Sequence, residues 1–345
     1  MEPKYSVGKL KHNELETLFN EYVADLKFSD KRIISGSKVG EDAAVIDTEG
    51  DSYLVVKTDP ITFATDEIGY YVVNVNVNDV VCTGATPKWF QSTILLPEKK
   101  TSEHLIKSIF KGIHDTCKSF GISVIGGHTE VTGGIGRPIV VGSLIGEVKK
   151  SKLVLTSGAE PGDDLILTKG IFIEGTSIIA REKESILKQK GFDSKFIETC
   201  KNFLYDPGIS VYQEAILAHS HFTVKAMHDP TEGGLACGIA EMGIASKTGM
   251  LIYKNKINLL PEAQKLSKIF GLNPMGTISS GSLLIAIEKE NSRKLIDFLR
   301  KEGINGMKIG EFTEKEKGFL LQNEKGEIEP LKYSEIDEIS KIFNE

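Results

Sequence analysis

The sequence predicts a mixed α/β protein of two domains, and three observations carry that expectation. Segments with apolar residues at helical spacing alternate with short apolar or alternating runs of strand character. The length, 345 residues, is enough for two domains that each bury a core. A polar passage over residues 147–162, ending in Glu160-Pro161-Gly162-Asp163, is turn chemistry and places a boundary near residue 155, giving domains 1–155 and 156–345.

The first element is a helix over residues 9–27, with Leu10, Leu15, Leu18, Phe19 and Tyr22 at helical spacing. A polar stretch with Gly36 and Gly40 leads into a strand at 43–47, followed by a second strand at 53–57. Residues 70–79 alternate polar and apolar with period two, so pattern and propensity favour a strand. As a helix, the same stretch would set Asn76, Asp79 and Thr83 on one polar face. A strong helix spans 102–120, with Leu105, Ile109, Ile113 and Cys117 on one stripe and Gly121 as its stop. Strands are expected at 123–125 and 139–145. The second half continues with a strand at 165–168, helices across 176–220, a strand at 224–227, a helix from Gly234, a strand at 283–287 and a helix at 292–301.

Composition narrows the function. With 42 Lys+Arg against 48 Asp+Glu, a net charge of −6 and no basic cluster, nucleic acid is not expected as the main ligand. No signal-peptide-like start and no run of about 18 apolar residues occurs, so a cytoplasmic protein without membrane contact is expected. Cys82, Cys117, Cys200 and Cys237 are far apart with no C-x-x-C spacing, which favours buried thiols over a nucleophile or thiolate metal site.

Acids concentrate at strand ends in the first half: Asp42 before one strand, Asp59 closing another, Asp66 and Glu67 before Gly69, and Asp79 among asparagines. With little lysine to compensate them, such carboxylates repel one another if they converge, unless a hard divalent ion lies between them. Each alone reads equally as a solvated turn residue. Residues 124–138 run from a strand into five glycines and end in Arg137 and Pro138. That pattern suits backbone N–H groups and an arginine fork around phosphate, or a plain flexible loop. The motif His228-Asp-Pro-Thr-Glu-Gly-Gly-Leu235 sets Thr231 and two glycines at a helix start, a place that attracts anions; His228 and Asp229 read also as capping and turn residues. Walker and Rossmann fingerprints are absent.

Taken in order, Gly40-Glu-Asp-Ala-Ala44, Thr58-Asp59, Asn78-Asp79 with Gly84-Ala-Thr-Pro87, Gly126-Gly-His-Thr129 and His228–Leu235 resemble the aminoimidazole ribonucleotide (AIR) synthase, or PurM-like, superfamily over nearly the whole chain. Gly8-Lys-Leu10, Asp59-Pro-Ile-Thr62, Asp66-Glu-Ile-Gly69 and Ile278–Leu284 look most like its hydrogenase-maturation branch, HypE. The resemblance implies an N-terminal sheet that closes a barrel with its homodimer mate, a C-terminal α/β domain, and a helix at 68–83. It implies ATP between the domains, with Mg²⁺ on Asp42, Asp59 and Asp79. Lys9, Thr58, Asn76, Gly126, Gly127 and Thr129, with Arg137, Asp229 and Glu232, would then hold the nucleotide, and Glu130 or His128 would stand near the transferred group. The activity implied is phosphorylation of an amide-like oxygen on a small molecule or partner protein, driving dehydration or cyclisation. A thiamine-monophosphate-kinase-like enzyme and a weakly catalytic nucleotide-binding maturation factor are the alternatives. Two departures stand out: His128 occupies a position where the family usually has an acid, with Glu130 two residues on, and the chain ends Ile342-Phe-Asn-Glu345 without the Pro-Arg-x-Cys tail of HypE, so self-carbamoyl chemistry is not expected.

Overall fold

The computed structural model describes residues 9–343 except 24, 25, 27–29, 37, 39, 63 and 65. Two compact units make up the chain. One comprises 32–35 and 42–153; the other comprises the described residues of 9–31 and 36–41 together with 154–343. Helix α1 (His12–Tyr22) therefore goes with the C-terminal unit and not with the sheet that follows it in sequence.

The N-terminal unit holds β1 (Ile33–Ser35), β2 (Ala44–Asp47), β3 (Ser52–Ile61), α2 (Ile68–Cys82), β4 (Thr86–Pro97), α3 (Glu103–Phe120), β5 (Ser123–Thr132) and β6 (Ile139–Lys149). Its sheet runs β1-β2-β3-β6-β4-β5. Only β4 and β5 are parallel, and α3 supplies the crossover such a pair requires. That helix is the best-signposted element: the Ser102 side chain accepts from Leu105 N at its start, and Gly121 ends it at φ 68°.

Helix α2 overturns its own sequence pattern. Every residue in it except Tyr70 is buried, so no face has to be polar and a period of two carries no information about its conformation. The asparagines are accommodated because their amides turn back on the helix: Asn74 Nδ2 donates to Tyr70 O at 2.9 Å and Asn76 Nδ2 to Val72 O at 2.8 Å. Glycines let the neighbours approach. A Cβ on Gly69 would stand 2.4 Å from the Ile109 carbonyl oxygen in α3, and one on Gly142 in β6 would stand 2.4 Å from Asn76 Nδ2.

Two strands outrun their expected ends. β3 continues past Asp59 through Pro60 to Ile61, pairing with β6 so that Asp59 faces Gly142. β2 pairs with β3 only as far as Val56, so Pro60 lies beyond that partner, where a missing N–H costs nothing. β5 extends from the predicted three residues to Thr132 and takes in the whole Gly126–Glu130 segment.

The C-terminal unit carries β7 (Asp164–Thr168), α4 (Ile173–Glu182), α5 (Glu184–Gln189), α6 (Ser194–Asn202), α7 (Tyr212–His221), β8 (Val224–His228), α8 (Gly234–Ser246), β9 (Gly249–Tyr253), α9 (Pro261–Phe270), β10 (Leu284–Ile287), α10 (Lys289–Lys301), β11 (Gly306–Thr313), β12 (Phe319–Gln322) and β13 (Ile328–Pro330). The sheet order is β13-β12-β9-β11-β7-β10-β8. Leu165, Leu167, Ile239, Met242, Ile252 and Phe312 are among the residues of its core. The sequence reading did not mark β4, β9, α9 or β11 to β13. Among the described residues no helix is long and apolar enough to cross a membrane.

Candidate active site

In the N-terminal unit, Asp59 and Asp79 converge on one cation. Lys57 Nζ lies 3.3 Å from Asp59 Oδ2 and 3.2 Å from Asp79 Oδ1. The expectation that these acids lack a compensating lysine is therefore corrected. Lys57 and Asp59 share a face of β3 because they are two residues apart, while Thr58 points the other way and gives its hydroxyl to Gly142 O at 2.7 Å. Asn76 and Asp79 share a face of α2 as an i, i+3 pair. Asn76 fixes the strand to the helix: Asp59 N donates to Asn76 Oδ1 at 3.1 Å, and Asn76 Nδ2 approaches Asp59 O at 3.4 Å. Asn76 is thus a positioning residue for Asp59.

Asp42 is buried, and a carboxylate oxygen of it lies within 4.8 Å of Cys82 Sγ, one helical turn beyond Asp79. Asp79 has a side-chain exposure of 6% and Asp59 of 32%, so the pair grades from shielded to accessible. Two carboxylates that share the Lys57 ammonium offer hard oxygen donors, which fit a divalent cation of the magnesium kind.

The first half of the glycine-rich segment is strand and the second half, with Gly133, Gly134 and Gly136, is the turn that follows it. Gly126, Gly127, His128, Thr129 and Glu130 all lie in β5, at the edge of the sheet, paired parallel with β4. Gly127 is there because it must approach β4 closely: at φ 149°, its Cβ would stand 2.2 Å from Ser92 O. His128, Glu130 and Thr132 share one face. His128 Nε2 lies 3.1 Å from Glu130 Oε2 and Thr132 Oγ1 donates to Glu130 Oε1 at 2.7 Å. The Thr132 hydroxyl, then His128, hold the Glu130 carboxyl below its ordinary range. Arg137 lies half-buried in the turn that follows.

In the C-terminal unit the His228–Leu235 motif ends β8 and starts α8. Thr231 does not cap the helix; Gly233 does, at φ 80°, and Thr231 Oγ1 accepts from Lys9 Nζ at 3.3 Å. The Gly233 N–H is already taken by Asp337 Oδ2 at 2.7 Å, so the anion that this helix start attracts is one of the chain's own. Burial pushes the Asp337 carboxyl up to about 6. Nearby in the fold, Glu174 in the first turn of α4 is pushed up by burial to about 7. Asp229 is buried, whereas Glu232 is half-buried.

Behind the motif stands a second charged group. Glu241 of α8 lies 3.0 Å from His228 Nε2 and 3.3 Å from His12 Nε2, and His12 Nδ1 lies 3.4 Å from Glu335 Oε1. Despite burial, which acts to raise it, the Glu241 carboxyl sits well below its ordinary range because Lys9, His12 and His228 favour its charged form. Sequence reasoning missed Lys57, His12, Glu174, Glu241 and Asp337. Only Lys57, two residues from Asp59 on a strand, carried a usable signal.

Comparison with known proteins supplies the lineage. The N-terminal domain of AIR synthase related proteins matches residues 40–148 and the C-terminal domain matches residues 160–322. A putative hydrogenase expression/formation protein of Methanocaldococcus jannaschii is 31% identical over 290 residues, covering 82% of each chain. The carbamoyl dehydratase HypE of Cupriavidus necator is 26% identical over 295 residues, covering 83% of this chain and 80% of that one. Two solved structures share the fold: HypE in complex with ATP (TM-score 0.70, 18% identity, 95% and 96% covered) and a HypE–HypF complex (TM-score 0.73, 20% identity, 92% and 99% covered). With both halves matched and such relatives spanning most of its length, the chain belongs to the PurM-like family of AIR synthase related proteins, HypE among its kin.

Proposed function

We propose that this chain is an ATP-dependent phosphoryl-transfer enzyme of the HypE and AIR-synthase type, acting on an amide-like oxygen. The observation that carries this reading is the convergence of Asp59 and Asp79 on Lys57, with Asn76 locking the strand to the helix. Asp42, Asp59 and Asp79 would hold Mg²⁺, which when bound neutralises charge on the phosphates. Lys57 is the resident cation that keeps the two aspartates together and compensates their repulsion.

The chemistry follows from a poor leaving group. An amide oxygen attacks the γ-phosphorus, the bond to the β-phosphate oxygen breaks, and ADP departs. The iminophosphate so formed loses phosphate with its C–O bond; loss of a proton gives a nitrile, whereas attack by a nitrogen gives an amidine or ring. Glu130, whose charged form Thr132 and His128 favour, would take such a proton. Both residues are exposed on an edge strand, so this role needs β5 to be covered. A second copy of the chain pairing there supplies that cover and agrees with the homodimer of the resemblance. HypE of known structure is found with HypF, and a protein-borne amide is the substrate class favoured on that likeness.

The test is ADP formation by the purified chain with ATP and Mg²⁺ across carboxamide and carbamoyl substrates. Release of one phosphate per ADP that depends on the added amide, with the amide's ¹⁸O label appearing in that phosphate, supports the amide reading. A stable phosphoester product would favour a kinase, and ADP formation unchanged in Asp59→Asn and Asp79→Asn would overturn the metal assignment.

A further inference from the structure

We propose that His12, Cys237 and Glu241 form a site for a borderline transition-metal dication, with Zn²⁺ as the reference ion, separate from the aspartates of the N-terminal unit. The three residues present one donor atom each, and these atoms lie within 4.8 Å of one another. Cys237 and Glu241 are an i, i+4 pair on α8, so one helix face supplies thiolate and carboxylate, and His12 at the start of α1 supplies the imidazole. His12 Nε2 stands 3.3 Å from Glu241 Oε1. That spacing is what ligands about 2.0–2.3 Å from a tetrahedral zinc require of each other. Mixed nitrogen, sulfur and oxygen donors favour zinc over magnesium or calcium.

The surroundings are those of a supported site. Glu335 Oε1 accepts from His12 N at 3.3 Å and stands 3.4 Å from His12 Nδ1, a charge contact on the ring edge away from Glu241. His228 holds the other Glu241 oxygen at 3.0 Å. Burial and the Glu241 carboxylate push the Cys237 thiol well up, with Lys9 opposing them, so the ion itself has to displace the thiol proton. Cys237 is fully buried, whereas His12, Glu335 and Tyr333 line a cleft of about 670 Å³ that gives an ion an approach and leaves a fourth position for water. Binding forms the M–S, M–N and M–O bonds, and the thiol proton leaves to solvent; no electron moves. Affinity therefore rises with pH. Local spacing does not reveal this set, because more than two hundred residues separate His12 from Cys237.

The experiment uses the full chain after chelator treatment, titrated with Zn²⁺ against a chromophoric chelator and with Co²⁺ by absorption. Expected are one equivalent of tight binding and, for Co²⁺, a thiolate-to-metal charge-transfer band. Cys237→Ser should abolish the band, His12→Ala should weaken binding, and Glu335→Gln should weaken it roughly 10-fold while keeping the band. Asp79→Asn should leave zinc binding unchanged, so failure here and failure of the phosphoryl-transfer reading are told apart. If His12→Ala does not fold by circular dichroism, the near-isosteric Cys237→Ser carries the test. No saturation at one equivalent, no band, or a band that survives Cys237→Ser overturns the proposal.

Discussion

The two charged clusters are built from similar parts in opposite proportions. Around Lys57, one cation serves two carboxylates; around Glu241, one carboxylate serves two imidazoles. The first keeps surplus negative charge beside a partly exposed Asp59, the condition for drawing in a further cation. The second has its anion matched by several partners in a buried setting, and the partners come from residues 12, 228 and 241 of the sequence, so it ties together separate parts of one unit. Charge surplus on oxygen donors draws in a hard dication; charge balance gives cohesion in the ion-free fold, where any added ion has to displace a proton.

That contrast breaks if the two clusters respond alike to loss of a carboxylate. Asp79→Asn should lower ADP formation on the order of 10²–10³-fold while leaving the urea midpoint close to the parent's. Glu241→Gln should do the reverse, costing about 3 kcal/mol in urea unfolding because the buried His228 and the half-buried His12 lose their carboxylate. An Asp79 variant that mainly unfolds would sink the distinction.

Acid titration sharpens it within the C-terminal unit, where two buried carboxyls are driven oppositely. Glu241 sits below its unfolded value, so its stabilisation is present above that value and is lost as pH falls through its folded one. Glu174 is pushed up to about 7 from 4.5, so the folded form holds the extra proton. Its contribution is full below pH 4.5 and fades as pH rises toward 7, by roughly 3 kcal/mol. Urea unfolding at pH 5 and pH 8 should show this drop, and Glu174→Gln should flatten it.

The smallest effect concerns Lys57. Replacing it by Met keeps the stem and removes the charge, which should cost about 1 kcal/mol without added ion. Mg²⁺ should restore more stability to Lys57→Met than to the parent, read as a shift in thermal midpoint. Equal shifts would mean that lysine and metal do not compete for these oxygens.

Elements with their own punctuation were legible: α3 with Ser102 and Gly121, and α8 beginning at Gly234. α2 was not readable from pattern, because alternation reports a half-buried surface and this helix has none; motif resemblance, not periodicity, placed it. Glycine at β5 also has a packing role that the motif does not announce: Gly127 allows a close approach of strands. Of the candidate site, the aspartates stood out because acids at strand ends are noticeable one by one. Lys57 was passed over, and His12, Glu241 and Glu335 meet only through the tertiary fold.

The order of synthesis sets an uneven schedule. His12 and α1 are synthesised before either sheet, yet the carboxylate that His12 meets arrives more than two hundred residues later. The sheet of 42–153 can close around its own crossover helix meanwhile, while the leading segment waits for a partner not yet translated. A truncation that starts at Val154 would leave Glu241 without that imidazole. A circular permutant carrying residues 9–31 behind 343 restores that imidazole to the C-terminal half.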